Sequence, residues 1–338
     1  MLADSRIVYM FIYVSDIRAS RRFYEDKLGL RLLHVDEDSA MFDCGTCILA
    51  LQTAGKYNVE LPVERDNSTD VVWMVDDMEA IQRSLEARGV QFIAPVWYEV
   101  GGIVDFYDPD MHWLTLYQPS EQSLEWPSGE RIAAVRAARR GPNGGARAGA
   151  GVPGNGGNGG GTAVAAPPAT ETGEPTLRDA ELIYAFFFVP NAEDTERFYH
   201  EDLGLRDIEG GPCSRSTDND EEGVIKYDTG GIMLTTHFYD QTRTPDEVEE
   251  HGCPPRILDL ERMKGVAPAF HVRDVERTVR ALQQRRADFK PRISKSEVGV
   301  VATCEDPGGH MFFLWEPCES SLQGSVGEKV QEILAMPL

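Results

Sequence analysis

Two similar stretches decide the fold: SDIRASRRFYEDKLGLR at residues 15–31 and PNAEDTERFYHEDLGLR at residues 190–206. The second copy begins 175 residues after the first. In each copy an Asp or Asn (Asp16, Asn191) precedes a helical segment, and a Gly (Gly29, Gly204) follows it. Asp and Asn are preferred at the start of a helix, and Gly is preferred where a helix ends. Each stretch therefore predicts a helix between two strands, and the repetition predicts a chain built from copies of one unit.

The unit repeats four times along the chain. Around the first copy, residues 6–14 predict a strand, residues 17–28 a helix and residues 31–53 further short strands, which is a βαβββ pattern. Residues 71–118, 182–238 and 266–316 follow the same order of elements. The second and fourth units also match each other, because in both an Asp-Pro pair follows nine residues after a Glu-Val-Gly stretch. We expect an α+β chain of four βαβββ modules in two pairs.

Composition divides the chain into four parts. Residues 1–126 hold the first pair of modules, and residues 179–320 hold the second pair. Residues 127–178 between them are rich in Gly, Ala and Pro, and such a segment cannot bury a core, so we predict a flexible linker. Within it, residues 131–136 have two interpretations, a short helix docked on either domain or a solvated tail. Residues 321–338 are predicted to form a C-terminal tail.

The second pair of modules carries two insertions that the first pair lacks, near residues 209–223 and 240–264. Long loops beside a cavity often act as lids. The equal alternative is a disordered loop without a role, because an acidic stretch with few apolar residues cannot bury enough surface to fold.

Charge and composition exclude several classes of partner. The formal net charge of −23 disfavours nucleic acid and an anionic membrane as partners, because both require clustered Lys and Arg. No apolar run approaches the roughly 18 residues of a membrane span, and the first residues lack the pattern of a secretion signal. Six cysteines without a regular framework suit a reducing compartment, and Cys44-Gly45-Thr46-Cys47 is predicted to be a hairpin turn. We therefore expect a cytoplasmic protein whose partner is a small molecule.

The motif Arg-Phe-Tyr-x-x-x-Leu-Gly-Leu and the Asp-Pro-x-x-His hairpins at 108–112 and 306–310 resemble the vicinal oxygen chelate superfamily. This superfamily includes glyoxalases, bleomycin-resistance proteins, epimerases and ring-cleaving dioxygenases. The resemblance covers nearly everything outside the linker. It implies that the four modules are paired into two cup-shaped domains, each built from two consecutive modules. We also expect a pseudo-dimer within the chain, with a homodimer of chains as an alternative.

The resemblance further implies metal ligands that point inward from the first and last strands of each module. In family members that hold a metal, these ligands are His, Glu or Gln. Aligning the strand ends and the hairpins places different residues at the eight positions: Tyr9, Ala50, Asp70, Thr115, Tyr184, Thr235, Ala267 and Phe313. Thr, Ala and Phe side chains are poor or impossible ligands of a divalent metal. The standard site is therefore expected to be absent, the cofactor is unknown, and a divalent metal held in another way stays an alternative.

Side chains alternate along a strand, so residues two and four positions from each ligand position share its face of the sheet. The first cup, formed by modules one and two, is predicted to bind an organic ligand with six residues: Tyr9, Tyr13, Gln52, Asp70, Trp113 and Thr115. The second cup, formed by modules three and four, is predicted to bind with Tyr184 and Thr235. The alternative is that the aromatic residues only fill the space between sheet and helices.

Four further residues are candidates for catalysis. His237 and His271 are expected to share the second cup, where they could face each other as a proton-transfer pair or as ligands of an unconventional metal site. Glu99 and Glu297 are predicted at the mouths of the cups, where a carboxylate could remove a proton from a carbon next to a carbonyl. The alternatives are hydrogen-bonded structural histidines and solvated turn glutamates.

Three functions are compatible with the resemblance and with these residues. The first is an enzyme on a small oxygenated metabolite, an epimerase or isomerase that acts through an enediolate. The second is a metal-free binding protein that sequesters an aromatic drug or metabolite, as bleomycin-resistance members do. The third is a ring-cleaving dioxygenase, which needs an iron site for which the sequence offers no ligands. The sequence identifies neither the ligand nor the cup that binds it.

Overall fold

The computed structural model describes residues 2–61, 68–140, 174–189, 191–209, 223–238 and 265–336. Within these ranges the chain forms four βαβββ modules, as the repeats predict. The predicted insertion near 240–264 lies outside the described residues, as do residues 210–222 of the other insertion and residues 141–173 of the linker.

The first two modules are followed by a pair of helices. Module one consists of β1 (Arg6–Val14), α1 (Ile17–Arg22) continued by a π-helical turn (Phe23–Lys27), β2 (Arg31–Val35), β3 (Ser39–Asp43), β4 (Ile48–Thr53) and the short α2 (Ala54–Tyr57). Module two consists of β5 (Thr69–Met74), α3 (Met78–Ala87), β6 (Val96–Tyr98), β7 (Gly101–Tyr107) and β8 (Trp113–Pro119). Next come α4 (Glu121–Leu124) and α5 (Pro127–Arg140). The start of the predicted linker is therefore helical.

The last two modules follow the same plan. Module three consists of β9 (Glu181–Val189), α6 (Ala192–Glu196) continued by a π-helical turn (Arg197–Asp202), β10 (Arg206–Glu209), β11 (Gly223–Asp228) and β12 (Met233–Phe238). Module four consists of β13 (Val266–His271), α7 (Val275–Arg285), β14 (Arg292–Ser296), β15 (Gly299–Glu305) and β16 (Met311–Pro317). A C-terminal helix, α8 (Gly324–Ala335), follows within the predicted tail.

The repeated stretches form capped helices, as predicted. The Asp16 carboxylate accepts hydrogen bonds from the backbone N–H groups of Arg18 and Ala19, at 2.8 and 3.1 Å. The Asn191 side chain accepts one from a backbone N–H in the first turn of α6, at 3.0 Å. Gly29 and Gly204 have φ angles of +79° and +70°, which glycine adopts more readily than other residues.

The modules do not pair as the sequence suggested. One eight-stranded sheet, sheet A, has the order β14-β15-β16-β13-β1-β4-β3-β2, and the other, sheet B, has the order β10-β11-β12-β9-β5-β8-β7-β6. Module one therefore shares sheet A with module four through antiparallel β1 and β13, and module two shares sheet B with module three through β5 and β9. The prediction that consecutive modules share a cup is wrong.

Consecutive modules instead meet between the sheets, at the faces that carry the helices. The Tyr24 hydroxyl of module one donates to Asp108 of module two at 3.0 Å, and the Tyr199 hydroxyl of module three donates to Asp306 of module four at 2.8 Å. The histidine four residues after each aspartate contacts the same carboxylate. The two motifs that carry the family resemblance therefore bind each other and hold sheet A against sheet B.

The largest core cluster contains residues of both sheets together with residues of α1, α3 and α7, such as Ile17, Met78 and Val275. Four smaller clusters lie on the strands away from this core. Among the residues that the structure describes, no helix combines the length and apolarity needed to cross a bilayer.

Candidate functional site

Each sheet has a concave face opposite its helices. We call the concave face of sheet A (modules one and four) cup A, and that of sheet B (modules two and three) cup B. The strand registers distribute the predicted site residues between them. Cup A receives Tyr9, Tyr13, Ala50, Gln52, Ala267, His271 and Phe313, and cup B receives Asp70, Trp113, Thr115, Tyr184, Thr235 and His237.

The two histidines do not form the predicted pair, because they lie on different sheets. His237, on β12, lies beside Phe188, with ring centroids 5.3 Å apart. His271, at the end of β13, lies 6.4 Å from the ring of Trp315. Burial, together with the positive charges of Arg273 and Arg6, lowers the pKa of His271, so this histidine is neutral near pH 7.

Glu99 and Glu297 occupy the turns before β7 and β15, with exposed side chains. Their backbone carbonyls have a structural role, because each accepts a hydrogen bond from the segment that follows the last strand of its module. Ser120 Oγ donates to the Glu99 carbonyl at 2.6 Å, and Ser320 Oγ donates to the Glu297 carbonyl at 3.0 Å. The structure does not bring either carboxylate together with His237 or His271 in one site.

Cup A is filled by side chains of its own chain. At one end, Val330 and Ile333 of α8 are fully buried against Tyr9, Ile48 and neighbouring residues of the sheet. At the other end, Val59 and Leu61 pack against a cluster that includes Tyr13 and Met311. Burial raises the pKa of Tyr9 and of Tyr13 well above the usual tyrosine range, so both hydroxyls stay protonated.

Helix α8 is anchored in cup A by a buried ion pair. Lys329 Nζ lies 2.9 Å from Asp43 Oδ1, and only 3% of the Lys329 side chain is exposed. Arg31 contacts the same carboxylate. Ser325 Oγ also donates to the Leu33 carbonyl at 2.8 Å, and Arg6 donates to the carbonyl of Met336. The helix is thus fixed at its start, middle and end.

Helix α5 occupies the equivalent place in cup B. Ile132 is 2% exposed and packs in a cluster with Tyr117 and Tyr184. Arg131 Nε lies 3.3 Å from Asp228 Oδ1, and Arg206 contacts the other oxygen at 3.5 Å. This arrangement repeats that of Lys329, Asp43 and Arg31 in cup A.

Both helices begin with a close backbone approach that requires glycine. A Cβ on Gly129 would lie 2.3 Å from the Leu124 carbonyl oxygen, and one on Gly327 would lie 2.0 Å from the Leu322 carbonyl carbon. Real Cβ atoms do not approach other atoms so closely. Each cup is therefore closed at one end by a helix of the same design; the sequence offered α5 only as one of two alternatives at residues 131–136, and α8 lies where a tail was predicted.

Cup B differs from cup A in its polar centre. Thr115 Oγ1 lies 2.9 Å from an oxygen of Asp70 and 2.7 Å from an oxygen of Asp105, which come from β5 and β7. Asp70 is 7% exposed and Thr115 is 2% exposed. Across the sheet, Thr235 is fully buried, and its hydroxyl has no hydrogen-bond partner in the described part of the chain. Asp105 was absent from the sequence prediction, although its position opposite Thr115 in a hairpin could have revealed it.

An aromatic wall adjoins this polar centre. Trp113 is the register partner of Asp70, and its ring stacks on Phe188 with centroids 5.4 Å apart and planes 7° apart. Both side chains are nearly fully buried. On the side of α5, the Lys226 ammonium lies 5.6 Å from the ring centre of Tyr184 and 3.3 Å from Ser128 Oγ. Cup B thus combines flat apolar surface with charged and hydroxyl groups.

The equivalent positions in cup A hold uncharged side chains, most of them apolar. The module repeat and the strand registers match the residues of the two cups one by one. The pairs, cup B first, are Asp70 and Ala267, Asp105 and Thr303, Thr115 and Phe313, Thr235 and Ala50, Lys226 and Met41, and His237 and Gln52.

The eight standard ligand positions do not fit a divalent metal. In cup A they hold Tyr9, Ala50, Ala267 and Phe313, which offer one phenol that stays protonated. In cup B they hold a single carboxylate, Asp70, with three hydroxyl residues. Across the described ranges there is no cluster of three or more His, Cys, Asp or Glu side chains able to hold a metal.

A cavity of 570 Å³ lies at the rim of cup A. Tyr57, Phe289 and Met311 form its apolar wall, and Arg292 and Thr303 contribute polar groups. Arg286 also borders the cavity, but its guanidinium is already bound to Asp194 and Asp288. The volume suits a small molecule.

Comparison with known proteins shows the same architecture over the whole chain. Glyoxalase I from Zea mays is 12% identical and superposes with a TM-score of 0.56 over 98% of this chain and 95% of its own. A candidate dioxygenase from Bacillus subtilis is 14% identical, with a TM-score of 0.55 over 98% of this chain and 90% of its own. An antibiotic-binding protein from Streptomyces sp. CB03234 is 22% identical and covers 34% of this chain and 95% of its own, with a TM-score of 0.30. A search of curated proteins found no match.

Paired βαβββ modules whose first and last strands line a cup are the architecture that this chain shares with glyoxalase I from Zea mays. Residues 6–116 match the family model of the Glyoxalase/Bleomycin resistance protein/Dioxygenase superfamily. The chain therefore matches the superfamily model over its first two modules and shares the four-module fold of these solved structures over nearly its full length.

Proposed function

We propose that this chain is a metal-independent small-molecule-binding protein and that cup B is its binding site. One observation carries the proposal: cup B has a polar centre beside an aromatic wall, whereas cup A has no charged side chain at the same positions. Placing carboxylates on this face of the sheet, with Asp70 buried and Asp105 partly buried, is unfavourable compared with placing alanine or threonine there. Cup A also demonstrates that the fold itself does not need them. Because Asp70 and Asp105 have no acidic counterpart in cup A, we take cup B as the ligand site.

The composition of cup B indicates how a ligand would be held. Trp113 and Phe188 offer a flat surface for a ring, and aromatic contacts of this kind typically contribute about 0.5–1.5 kcal/mol beyond burial. Asp70 and Asp105 can accept hydrogen bonds. The unpartnered hydroxyl of Thr235 can donate or accept one, which would also remove the cost of leaving it buried without a partner.

A screen of small aromatic compounds by thermal shift tests the proposal, with hits confirmed by calorimetry on matched variants. Trp113→Leu removes the aromatic wall of cup B, and Phe313→Leu makes a similar change in cup A. We expect Trp113→Leu to weaken binding by at least about tenfold and Phe313→Leu to leave it unchanged. Treatment with a chelator should not alter the affinity. Hits that depend on Phe313 or on an added metal would contradict the proposal.

A second candidate, an epimerase or isomerase acting through an enediolate, is favoured by the two carboxylates of cup B. Asp70 and Asp105 approach one hydroxyl from different strands, so one of them could remove a proton from bound substrate. Incubation with α-hydroxy ketones in D₂O tests this function. An enzyme would exchange the proton next to the carbonyl, and Asp105→Asn would abolish the exchange. A binding protein would leave the proton in place.

The third candidate, a ring-cleaving dioxygenase, is not supported. The eight standard positions contain no histidine and no glutamate. We therefore derive no step that requires an iron centre.

A further inference from the structure

We infer that the outer edge of sheet B at β6 is a self-association surface, through which two copies of this chain pair β6 with β6 in antiparallel orientation and form a weak dimer. The inference does not depend on the ligand of cup B. Three observations support it: the exposure of β6, its lack of charge, and its difference from the equivalent strand of sheet A.

Strand β6 is an outer strand of sheet B, so only one of its two edges pairs with a neighbour, β7. The other edge of an outer strand presents backbone N–H and C=O groups that can pair with a strand of another chain. The side chains of β6 are also exposed and apolar: Val96 is 45% exposed, Trp97 56% and Tyr98 51%. Ile93, shortly before the strand, is 40% exposed. An apolar outer strand of this kind favours association.

Trp97 is held in position by its own sheet. Its register partner on β7 is Gly102, and a Cβ on Gly102 would lie 2.8 Å from the Trp97 ring. The ring therefore packs directly on the glycine, while more than half of the side chain stays exposed. An aromatic side chain that is already fixed loses little conformational entropy when it enters an interface.

Sheet A protects the equivalent strand. At the spacing of 198 residues that relates Glu99 to Glu297, β6 corresponds to Ser294-Lys295-Ser296 of β14, an outer strand of sheet A. Lys295 Nζ lies 2.9 Å from an oxygen of Glu276. A lysine on an outer strand opposes pairing with another chain, because pairing would bury its charge. The position that carries this lysine in sheet A carries Trp97 in sheet B.

The charge of the chain favours a second copy as the occupant. Residues 92–98 contain no charged side chain, although the chain has a formal net charge of −23. Two copies repel each other over most of their surface, so they can approach most easily through an uncharged segment. The strand is also self-complementary, because a two-fold axis at Trp97 places Val96 of one copy opposite Tyr98 of the other. Aromatic and β-branched residues in such opposite positions stabilise antiparallel strands.

The same register keeps the nearest carboxylates apart. The Glu99 residues of the two copies would lie at opposite ends of the strand pair, about 13 Å apart along the strands. This separation exceeds the Debye length of about 8 Å at physiological ionic strength, so their repulsion is largely screened. A stable interface buries about 800 Å² on each partner, which is more than these few side chains offer. We therefore expect a dissociation constant in the micromolar range or weaker.

Sedimentation velocity of the full chain, from about 1 µM to about 1 mM, tests the inference. The native chain should show a monomer–dimer equilibrium. Trp97→Lys gives β6 the lysine that β14 has and should weaken the dimer at least about tenfold. Ile293→Lys is the matched control, because Ile293 is an exposed apolar residue of β14, and it should leave the equilibrium unchanged.

An equimolar mixture of Trp97→Lys and Trp97→Glu tests the register. If Trp97 faces Trp97 across the two-fold axis, each variant alone places like charges opposite each other, whereas the mixed pair places opposite charges there. The mixture should associate at least about tenfold more tightly than either variant alone. Such a recovery also demonstrates that both variants are folded.

Three results would overturn the inference: a native chain that stays monomeric at 1 mM, a dimer that Trp97→Lys does not weaken, or a mixture that associates no more tightly than the separate variants. The first result uses the unmodified protein, so it decides the question even if a variant fails to fold. It would exclude a second copy as the occupant of this edge, whatever other strand the edge then binds.

Discussion

The carboxylate of Asp43 is expected to stabilise the folded chain only while it is ionised, and Asp43→Asn tests this expectation. Asp43 is largely buried at the end of β3. Its Oδ1 lies 2.9 Å from Lys329 Nζ and also accepts the backbone N–H of Gly45 at 2.9 Å, while Arg31 contacts Oδ2. Since Lys329 belongs to α8, this carboxylate ties the C-terminal helix into cup A.

The magnitude follows from the pKa of Asp43. Burial alone would raise this pKa, but the positive charge of Lys329 and the hydrogen bonds from Arg31 and Lys329 outweigh burial and lower it from 3.8 to about 2. This difference corresponds to about 2.5 kcal/mol of stability. Because the pKa is lower in the folded state than in the unfolded state, the contribution is complete above about pH 5 and is lost as the pH falls toward 2.

Urea unfolding of the native chain and of Asp43→Asn, between about pH 7 and pH 2, measures this contribution. The difference in unfolding free energy between the two proteins should be largest near neutral pH and should shrink by about 2.5 kcal/mol toward pH 2. Asp38→Asn is the control, because the Asp38 side chain is 41% exposed in a surface pair with Lys56. A difference for Asp43→Asn that is independent of pH, or that grows in acid, would refute the reasoning.

Three further predictions concern the framework. Asp306→Asn should lower the unfolding free energy by about 3 kcal/mol, because the buried carboxylate is bonded to both Tyr199 and His310; a urea midpoint equal to that of the native chain would contradict this. Gly230→Ala should destabilise by more than about 1 kcal/mol, since its φ is +94° and a Cβ would lie 2.6 Å from Arg6 Cγ, whereas Gly55→Ala, with no atom within 4 Å, should not. When the two halves of the chain, residues 1–140 and 174–338, are expressed together, they should form a 1:1 complex, because each half holds one module of each sheet. Size-exclusion chromatography with light scattering measures this, and separate elution of the two halves would contradict the observed pairing.

The local structure was predictable from the sequence because it depends on local chemistry. The caps at Asp16 and Asn191 and the glycines at 29 and 204 act within a few residues, so their residue types are informative by themselves. The turn at Cys44–Cys47 forms as predicted, closed by a hydrogen bond from the Cys44 N–H to the Cys47 carbonyl. Which face of each strand lines a cup also followed from alternation.

The pairing of the modules was not predictable in the same way. Strands β1, β5, β9 and β13 are apolar and largely buried on both faces, so no residue pattern distinguishes one partner from another. The order of the modules along the chain suggested that consecutive modules would pair in one sheet. In the structure, contacts between the two sheets, such as that of Tyr24 with Asp108, link consecutive modules face to face. The edge of β1 is then available to pair with β13 of module four. Because modules three and four belong to different sheets, His237 and His271 are separated.

The helices that close the cups were predicted only in part: a docked short helix at residues 131–136 was one of two alternatives, and the C-terminal helix was not predicted. Helix α5 is rich in Ala and Arg, and it lies at the start of a segment whose composition indicates a linker. The signal was nevertheless present, because the repeat that relates Glu99 to Glu297 continues past the last strands. At the same spacing of 198 residues, Gly129 corresponds to Gly327 and Arg131 corresponds to Lys329.

The two cups share one framework and differ in the polarity of their centres. Both contain the same closing helix, held by a cation on an aspartate at the end of the third or eleventh strand. That anchor lies away from the centre of the cup, so the residues at the centre are free to change without loss of the framework. In cup A they are Ala50, Ala267 and Phe313, whose side chains carry no charge. The same framework in cup B presents carboxylates beside a stacked aromatic pair, and this difference is the reason why we propose cup B as the binding site.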